Sequence, residues 1–146
     1  MAGCAAPELA DLCAYGRRVM LRGHGFRLFT LTDNTLAISG RQLEHAGVID
    51  VFERRFSVDE TVRRHKPAPE AYHSVATALE ADPGDICLIA CHVWDTIGAQ
   101  SAGWQAGLIL RRGNAPLAVG PQPDHIGKGP DAIADQLIGK YAPGAG

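Results

Sequence analysis

The stretch Asp85-Ile86-Cys87-Leu88-Ile89-Ala90-Cys91-His92-Val93-Trp94-Asp95 decides the reading of the fold. Ile86 to Ala90 is an unbroken apolar run that follows a turn, Asp82-Pro83-Gly84-Asp85. A strand with one face in water alternates apolar and polar side chains. An unbroken run instead marks a strand covered on both faces, as in a parallel sheet. A helix of small residues, Asp95 to Ala102, follows and ends at Gly103, and Ala106 to Leu110 reads as the next strand.

Upstream, Arg27-Leu28-Phe29-Thr30-Leu31-Thr32 is a second buried strand, bounded by Gly23 and Gly25. Asp33, Asn34 and Thr35 signal strand exit and helix entry. Leu36 to Ala46 carries Leu36, Ile38, Leu43 and Ala46 at helical spacing, with Gly47 as C-cap. Phe52 to Asp59 includes an extended piece, Arg55-Phe56-Ser57-Val58. Lys66-Pro67-Ala68-Pro69 breaks the chain, and Pro69 suits the first turn of a helix over Glu70 to Ala81, with Ala71, Val75, Ala78 and Leu79 on one face. Downstream, Gly113 to Gly129 reads as a surface loop and Asp131 to Tyr141 as a last helix. Alternating strands and helices predict an α/β fold, a Rossmann-like three-layer parallel sheet. The expected division is a helical lead-in over 1–24, with a helix at Pro7–Arg18, a core over 25–141, and a disordered tail over 142–146.

A chain of 146 residues suits one compact domain, and its formal charge of −2 gives no electrostatic reason to expect nucleic acid or an acidic membrane as partner. The basic clusters Arg17, Arg18, Arg22 and Arg63, Arg64, Lys66 read as solvated helix ends. No apolar stretch approaches the roughly 20 residues that span a bilayer. Met1 to Cys13 shows no basic leader before an apolar run, and four cysteines read as reduced thiols. The expectation is a soluble, cytoplasmic protein.

In open parallel sheets, ligands sit beyond the carboxyl ends of the strands. The residues in question are therefore Thr32 to Thr35, Lys66, and Ala90 to Asp95. Thr32, Asp33 and Asn34 could hold an anion at the following helix start; the plain alternative is N-capping by Asp33 or Asn34. Lys66 is either a solvated charge or an ammonium held in place by its proline frame. Asp95 is either an N-cap or the partner that orients Lys66. Trp94 is core or pocket wall. Cys87, Cys91 and His92 suggest metal ligands, but no second Cys/His pair completes a set, so no metal is expected, and His92 reads as a hydrogen-bonding group at a site mouth.

These residues resemble the motifs of the haloacid dehalogenase superfamily, in the form carried by type II 2-haloacid dehalogenases. Leu28 to Asn34 resembles the second motif, and Ser57-Val58-Asp59-Glu60 followed by Lys66-Pro67 resembles the third. His92-Val93-Trp94-Asp95, with Gly98-Ala99 and Ala102-Gly103, resembles the fourth, so that roughly Gly25 to Gly113 is covered. The resemblance implies hydrolysis of short 2-haloalkanoic acids to 2-hydroxyalkanoic acids without metal or other cofactor. It implies Lys66 and Asp95 as catalytic residues: the lysine neutralises active-site carboxylates, and the aspartate orients it. Thr32, with the adjacent backbone, would bind the substrate carboxylate, while Asp33, Tyr72, His92 and Trp94 would stand at the substrate site. Asp33 and His92 stand where these enzymes commonly carry asparagine, and Ala90 where many carry serine.

The family's nucleophile is an aspartate on a first strand, followed by a helical cap. Only 31 residues precede Thr32, and they contain no strand-borne aspartate of that kind, Asp11 falling in the expected helix. The expectation is thus the C-terminal core portion of such an enzyme, without nucleophile and cap and inactive alone. It would be active with a complementing N-terminal fragment, or would hide its open edge by homo-oligomerisation. A non-catalytic fragment binding a small anion is one alternative. A phosphatase-like hydrolase with Asp33 as nucleophile is the other, although Cys91 stands where a magnesium ligand would be needed, and a thiol suits that hard cation poorly.

Overall fold

A computed structural model describes residues 21–141. The expected Pro7–Arg18 helix, most of the lead-in, and the tail lie outside the described residues. In chain order the described elements are β1 (Phe29–Thr32), α1 (Leu36–His45), β2 (Arg54–Ser57), α2 (Pro69–Leu79), β3 (Cys87–Ala90), α3 (Val93–Ser101), β4 (Gln105–Ile109), β5 (His125–Gly127) and α4 (Pro130–Tyr141). Every strand pairing is parallel, so the α/β class holds. The described strands form two ladders, β1-β2 and β3-β4-β5.

Strand β5 lies inside the segment expected to be loop. Its three residues, His125–Gly127, are too few for a period-two pattern, and only pairing with Gly107 to Ile109 makes them a strand. The other expected strands are present with ends shifted by one or two residues. Helix α3 begins at Val93, two residues before the expected start.

The buried faces of α1 and α2 differ from the expected stripes. Helix α1 buries Ser39, Gly40 and Leu43, while Ile38 is exposed. The cause is the close approach of β2: a Cβ at Gly40 would lie 2.5 Å from Arg55 Nη1, whose guanidinium donates to the Leu36 carbonyl. A bare glycine admits that contact. Helix α2 buries Ala71, Tyr72, Val75 and Ala76, and Ala78 is exposed. The inward turn of Tyr72 rotates the buried stripe by one residue.

Two clusters cover opposite faces of β3. Leu88 packs with Phe56, Tyr72, Val75 and Trp104 on the α2/α3 side, while Cys87 and Ile89 pack with Ile109, Ile133 and Leu137 on the α4 side. This is the two-sided covering that the apolar run predicts. Leu108 and Ile133 are fully buried, each worth about 1.5–3 kcal/mol relative to exposure. Helix α1 ends as expected: Gly47 adopts φ +66°, and Val48 N–H reaches back to the Leu43 carbonyl, the left-handed close for which glycine has no side-chain penalty.

Candidate active site

Strands β1 and β2 deliver their carboxyl ends side by side, with Thr32 in register with Ser57. The chain leaves β1 through a turn tied at several points. Asn34 N–H donates to Thr32 Oγ1 at 3.0 Å, and Ser57 Oγ donates to the Asn34 carbonyl at 2.7 Å. Thr35, not Asp33 or Asn34, caps α1, accepting from Ile38 N–H at 3.3 Å. Freed from capping, Asp33 reaches the lysine loop, where its Oδ1 accepts from Lys66 N–H at 3.0 Å. The first turn of α1 carries no acidic side chain, so its positive end faces the site without a neutralising carboxylate from its own helix.

Lys66 and Asp95 meet here. Lys66 Nζ donates to Asp95 Oδ2 at 2.8 Å, with both side chains 1% exposed. Tyr72, fully buried on α2, donates its hydroxyl to Asp95 Oδ1 at 2.6 Å. Each carboxylate oxygen thus holds one proton donor, which is what a buried ionised group requires. Burial, and then the hydrogen bond to Asp95, hold the Tyr72 phenol far above its ordinary pKa, so it stays a donor. Asp95 falls in the first turn of α3, with His92 as the cap residue; it is not an N-cap, and the favourable helix end adds to its stabilisation. Gly98, on the same helix, leaves room for the tyrosine. A Cβ there would lie 2.6 Å from Tyr72 Oη and 2.7 Å from Pro67 Cβ.

Trp94 forms the rim. It is 41% exposed, stacks on His92 with ring centroids 5.3 Å apart, and lies 5.8 Å from Lys66 Nζ. The His92 Nδ1 atom is buried without a hydrogen-bond partner. A cavity of about 570 Å³ reaches Lys66, Asp95 and Ala90 from between β1 and β3. Of the expected site residues, Thr32, Asp33, Lys66, Tyr72 and Asp95 are linked around the carboxyl ends of β1 and β3, and His92 and Trp94 stand at the edge. Tyr72 lies behind the ion pair and serves Asp95.

Neither described cysteine presents a ready thiolate. Burial, with a smaller push from Asp124, raises the Cys87 thiol to about 12. Cys91 is disulfide-bonded, so the expectation of four reduced thiols fails there. Two residues that position the site escape sequence reasoning. Ser57 is fully buried and links the ends of β1 and β2, accepting from Asp59 N–H as well as donating to Asn34. Asn114 bridges β3 and β4 by donating to the Cys91 and Ile109 carbonyls at 2.7 and 2.8 Å. Gly113 to Gly129 reads as a surface loop in sequence, and nothing local signals the bridge.

Among the described residues no helix is long and apolar enough to cross a membrane. The chain is 33% identical over 113 residues to haloacetate dehalogenase H-2 of Moraxella sp. (strain B), covering 77% of this chain and 50% of that protein. It is 31% identical over 104 residues to the (S)-2-haloacid dehalogenase of Pseudomonas sp. (strain YL), covering 71% and 44%. The chain therefore spans about half the length of these relatives. A crystal structure of an L-2-haloacid dehalogenase superposes with a TM-score of 0.78 at 26% identity, over 84% of this chain and 53% of that one. The Xanthobacter autotrophicus L-2-haloacid dehalogenase, with chloropropionic acid covalently bound, gives 0.77 at 19% identity over 90% and 62%, a likeness of fold alone. A family model for haloacid dehalogenase-like hydrolases matches residues 3–103, the span that holds Thr32, Lys66, Tyr72 and Asp95, and the chain belongs to that family.

Proposed function

We propose that this chain supplies the lysine–aspartate part of a hydrolytic site for short 2-haloalkanoic acids, and that alone it turns over little or no substrate. The buried Lys66–Asp95 pair, closed behind by Tyr72 and open in front to the cavity, carries this reading. Of the three N–H donors on the ammonium, one is committed to Asp95. The others, with the Thr32 hydroxyl proton and the amides at the start of α1, suit an anionic substrate. Trp94 supplies an apolar wall beside the cation. The names of the relatives support 2-haloacids as the class.

In such a reaction a carboxylate attacks the carbon bearing the halogen. The carbon–halogen bond breaks, halide leaves, and water then cleaves the ester. Asp33 and Asp95 are both engaged, the first with Lys66 N–H and the second with Lys66 Nζ and Tyr72. Asp95, with both oxygens engaged and its side chain 1% exposed, is not poised to attack, whereas Asp33 is held at one oxygen only.

The test pairs binding with turnover. L-2-chloropropanoate should change Trp94 fluorescence in the wild type and not in Lys66→Met, and no halide should be released. Halide release that Lys66→Met abolishes would show a competent nucleophile within the chain. Absence of any Lys66-dependent fluorescence change would refute the site itself.

A further inference from the structure

We propose that the disulfide at Cys91 is a redox switch on the Lys66–Asp95 site: oxidised, it clamps the loop that carries Asp95, and reduced by a dithiol it releases that loop. Cys91 is disulfide-bonded. Among the described residues the other cysteine, Cys87, is a free thiol, so the second sulfur lies outside them, where the sequence has Cys4 and Cys13. Cys87 cannot exchange into the bond. Four positions of nearly extended chain set its Cα about 13 Å from that of Cys91, and a disulfide spans no more than about 7 Å between Cα atoms.

Cys91 is the first residue after β3 and the last before His92, the cap residue of α3. The His92 carbonyl accepts from Asp95 N–H at 3.1 Å and from Thr96 N–H at 3.2 Å. The first turn of α3, with the Asp95 carboxylate, therefore hangs from this loop. Two anchors hold the loop at Cys91. The Cys91 carbonyl accepts from Asn114 Nδ2, which ties it to β4. The Cys91 side chain is buried with Leu21, Ile109, Ile133 and Leu137 on the α4 side of the sheet, and there it carries the disulfide. Tyr72, in the cluster on the opposite face, grips the Asp95 carboxylate. Cutting the disulfide removes the covalent hold on one side of the turn and leaves only hydrogen bonds and packing.

The place of the bond sets it apart from bracing. Small domains that need covalent support are dense in disulfides, whereas here packing buries Leu108 and Ile133 fully and the bonded cysteine stands beside the cap of the helix that bears Asp95. Leu21, the first described residue, lies in the same cluster. The bond thus joins the chain ahead of β1 to the loop ahead of Asp95, with β1, β2 and the Lys66 loop between its ends. In reduction a thiolate of the dithiol attacks one sulfur and the sulfur–sulfur bond breaks, giving a mixed disulfide and one cysteine thiol. The second thiol of the reagent then displaces the other cysteine. The protein gains two electrons and two protons, and the reagent leaves as its cyclic disulfide. Cys87 takes no part, because burial raises its thiol to about 12 and the thiolate is the exchanging form.

The test uses the full chain, oxidised and after dithiothreitol. Peptide mapping without reductant should find Cys91 joined to Cys4 or Cys13 of the same chain; Cys91 unlinked, or linked between chains, would overturn the proposal. Reduction should quicken amide hydrogen exchange at least about tenfold at Asp95 and Thr96, while Leu108 in β4 changes by less than about twofold. Reoxidation should restore the slow rates. Cys87→Ala should respond as the wild type does, and Cys91→Ser should exchange fast at Asp95 with or without the dithiol. Equal quickening at all three amides would mean a bracing bond, and no change would mean that the bond does not hold the loop; either result overturns the switch. The effect on binding rests on the function proposed above: reduction should weaken the Lys66-dependent fluorescence response to L-2-chloropropanoate at least about threefold. No such response in either redox state would refute that function, while the exchange rates still decide the switch.

Discussion

The buried triad of Lys66, Asp95 and Tyr72 should be the energetic keystone of the described fold, and a double-mutant cycle measures it. Asp95→Asn keeps the shape and an oxygen for the Tyr72 hydroxyl but strands an ammonium that is 1% exposed. Removing one partner of a buried ion pair costs about 3–5 kcal/mol, because the remaining charge can neither return to water nor find a counter-charge. Lys66→Met should fall near the low end of that range. The Asp95 carboxylate keeps the 2.6 Å bond from Tyr72 and its place in the first turn of α3. In the double variant no charge is stranded, so its loss should be smaller than that of Asp95→Asn alone, leaving a coupling of at least about 2 kcal/mol. Urea unfolding followed by far-UV circular dichroism reads these values. With a slope near 2 kcal/mol/M, a 4 kcal/mol loss moves the midpoint by about 2 M. Single-variant losses that add to the double-variant loss within about 0.5 kcal/mol would refute the coupling. They would mean that lysine and aspartate are each solvated in the folded chain.

Three other perturbations test the surroundings of the pair. Gly98→Ala should lose about 1–3 kcal/mol and weaken the Tyr72–Asp95 bond, since its methyl group would meet Tyr72 Oη at 2.6 Å; calorimetry on this variant and on Gly98→Ala/Tyr72→Phe should show part of the loss recovered when the hydroxyl is removed. Asp33→Ala should leave global stability within about 1–2 kcal/mol but speed hydrogen exchange at Lys66, whose amide loses its 3.0 Å acceptor; unchanged exchange there would show that the loop holds itself. Alkaline pH should destabilise the fold. Burial raises Cys87 from 9.0 to about 12 and raises Tyr72 above its ordinary 10.0, so the folded chain keeps protons that the unfolded chain releases. The stabilisation is complete below pH 9 and declines above it, first through Cys87 and beyond pH 10 also through Tyr72, by at most about 1.4 kcal/mol per pH unit per group. A Cys87→Ala variant whose stability falls as steeply between pH 9 and 10 would remove Cys87 from this account.

What the sequence by itself determined is local. The apolar run of β3 and the break at Lys66-Pro67-Ala68-Pro69 carry their meaning within a few residues, because backbone preference and burial periodicity act at that range. The spacing of Thr32, Lys66 and Asp95 was legible for the same reason: Thr32 ends β1, Lys66 stands in the loop just before α2, and Asp95 falls in the first turn of α3. Only the tertiary structure decided which side chains meet. Lys66 and Asp95 are 29 positions apart, and Ser57 and Asn34 are 23 apart, separations at which no periodic pattern persists. The inward turn of Tyr72, the burial of Gly40 in place of Ile38, and the bridge made by Asn114 each depend on a neighbour that arrives from elsewhere in the chain. Strand β5 and the cleft beside β3 belong to the same class, since a strand exists only by its partner and a groove only by its two walls.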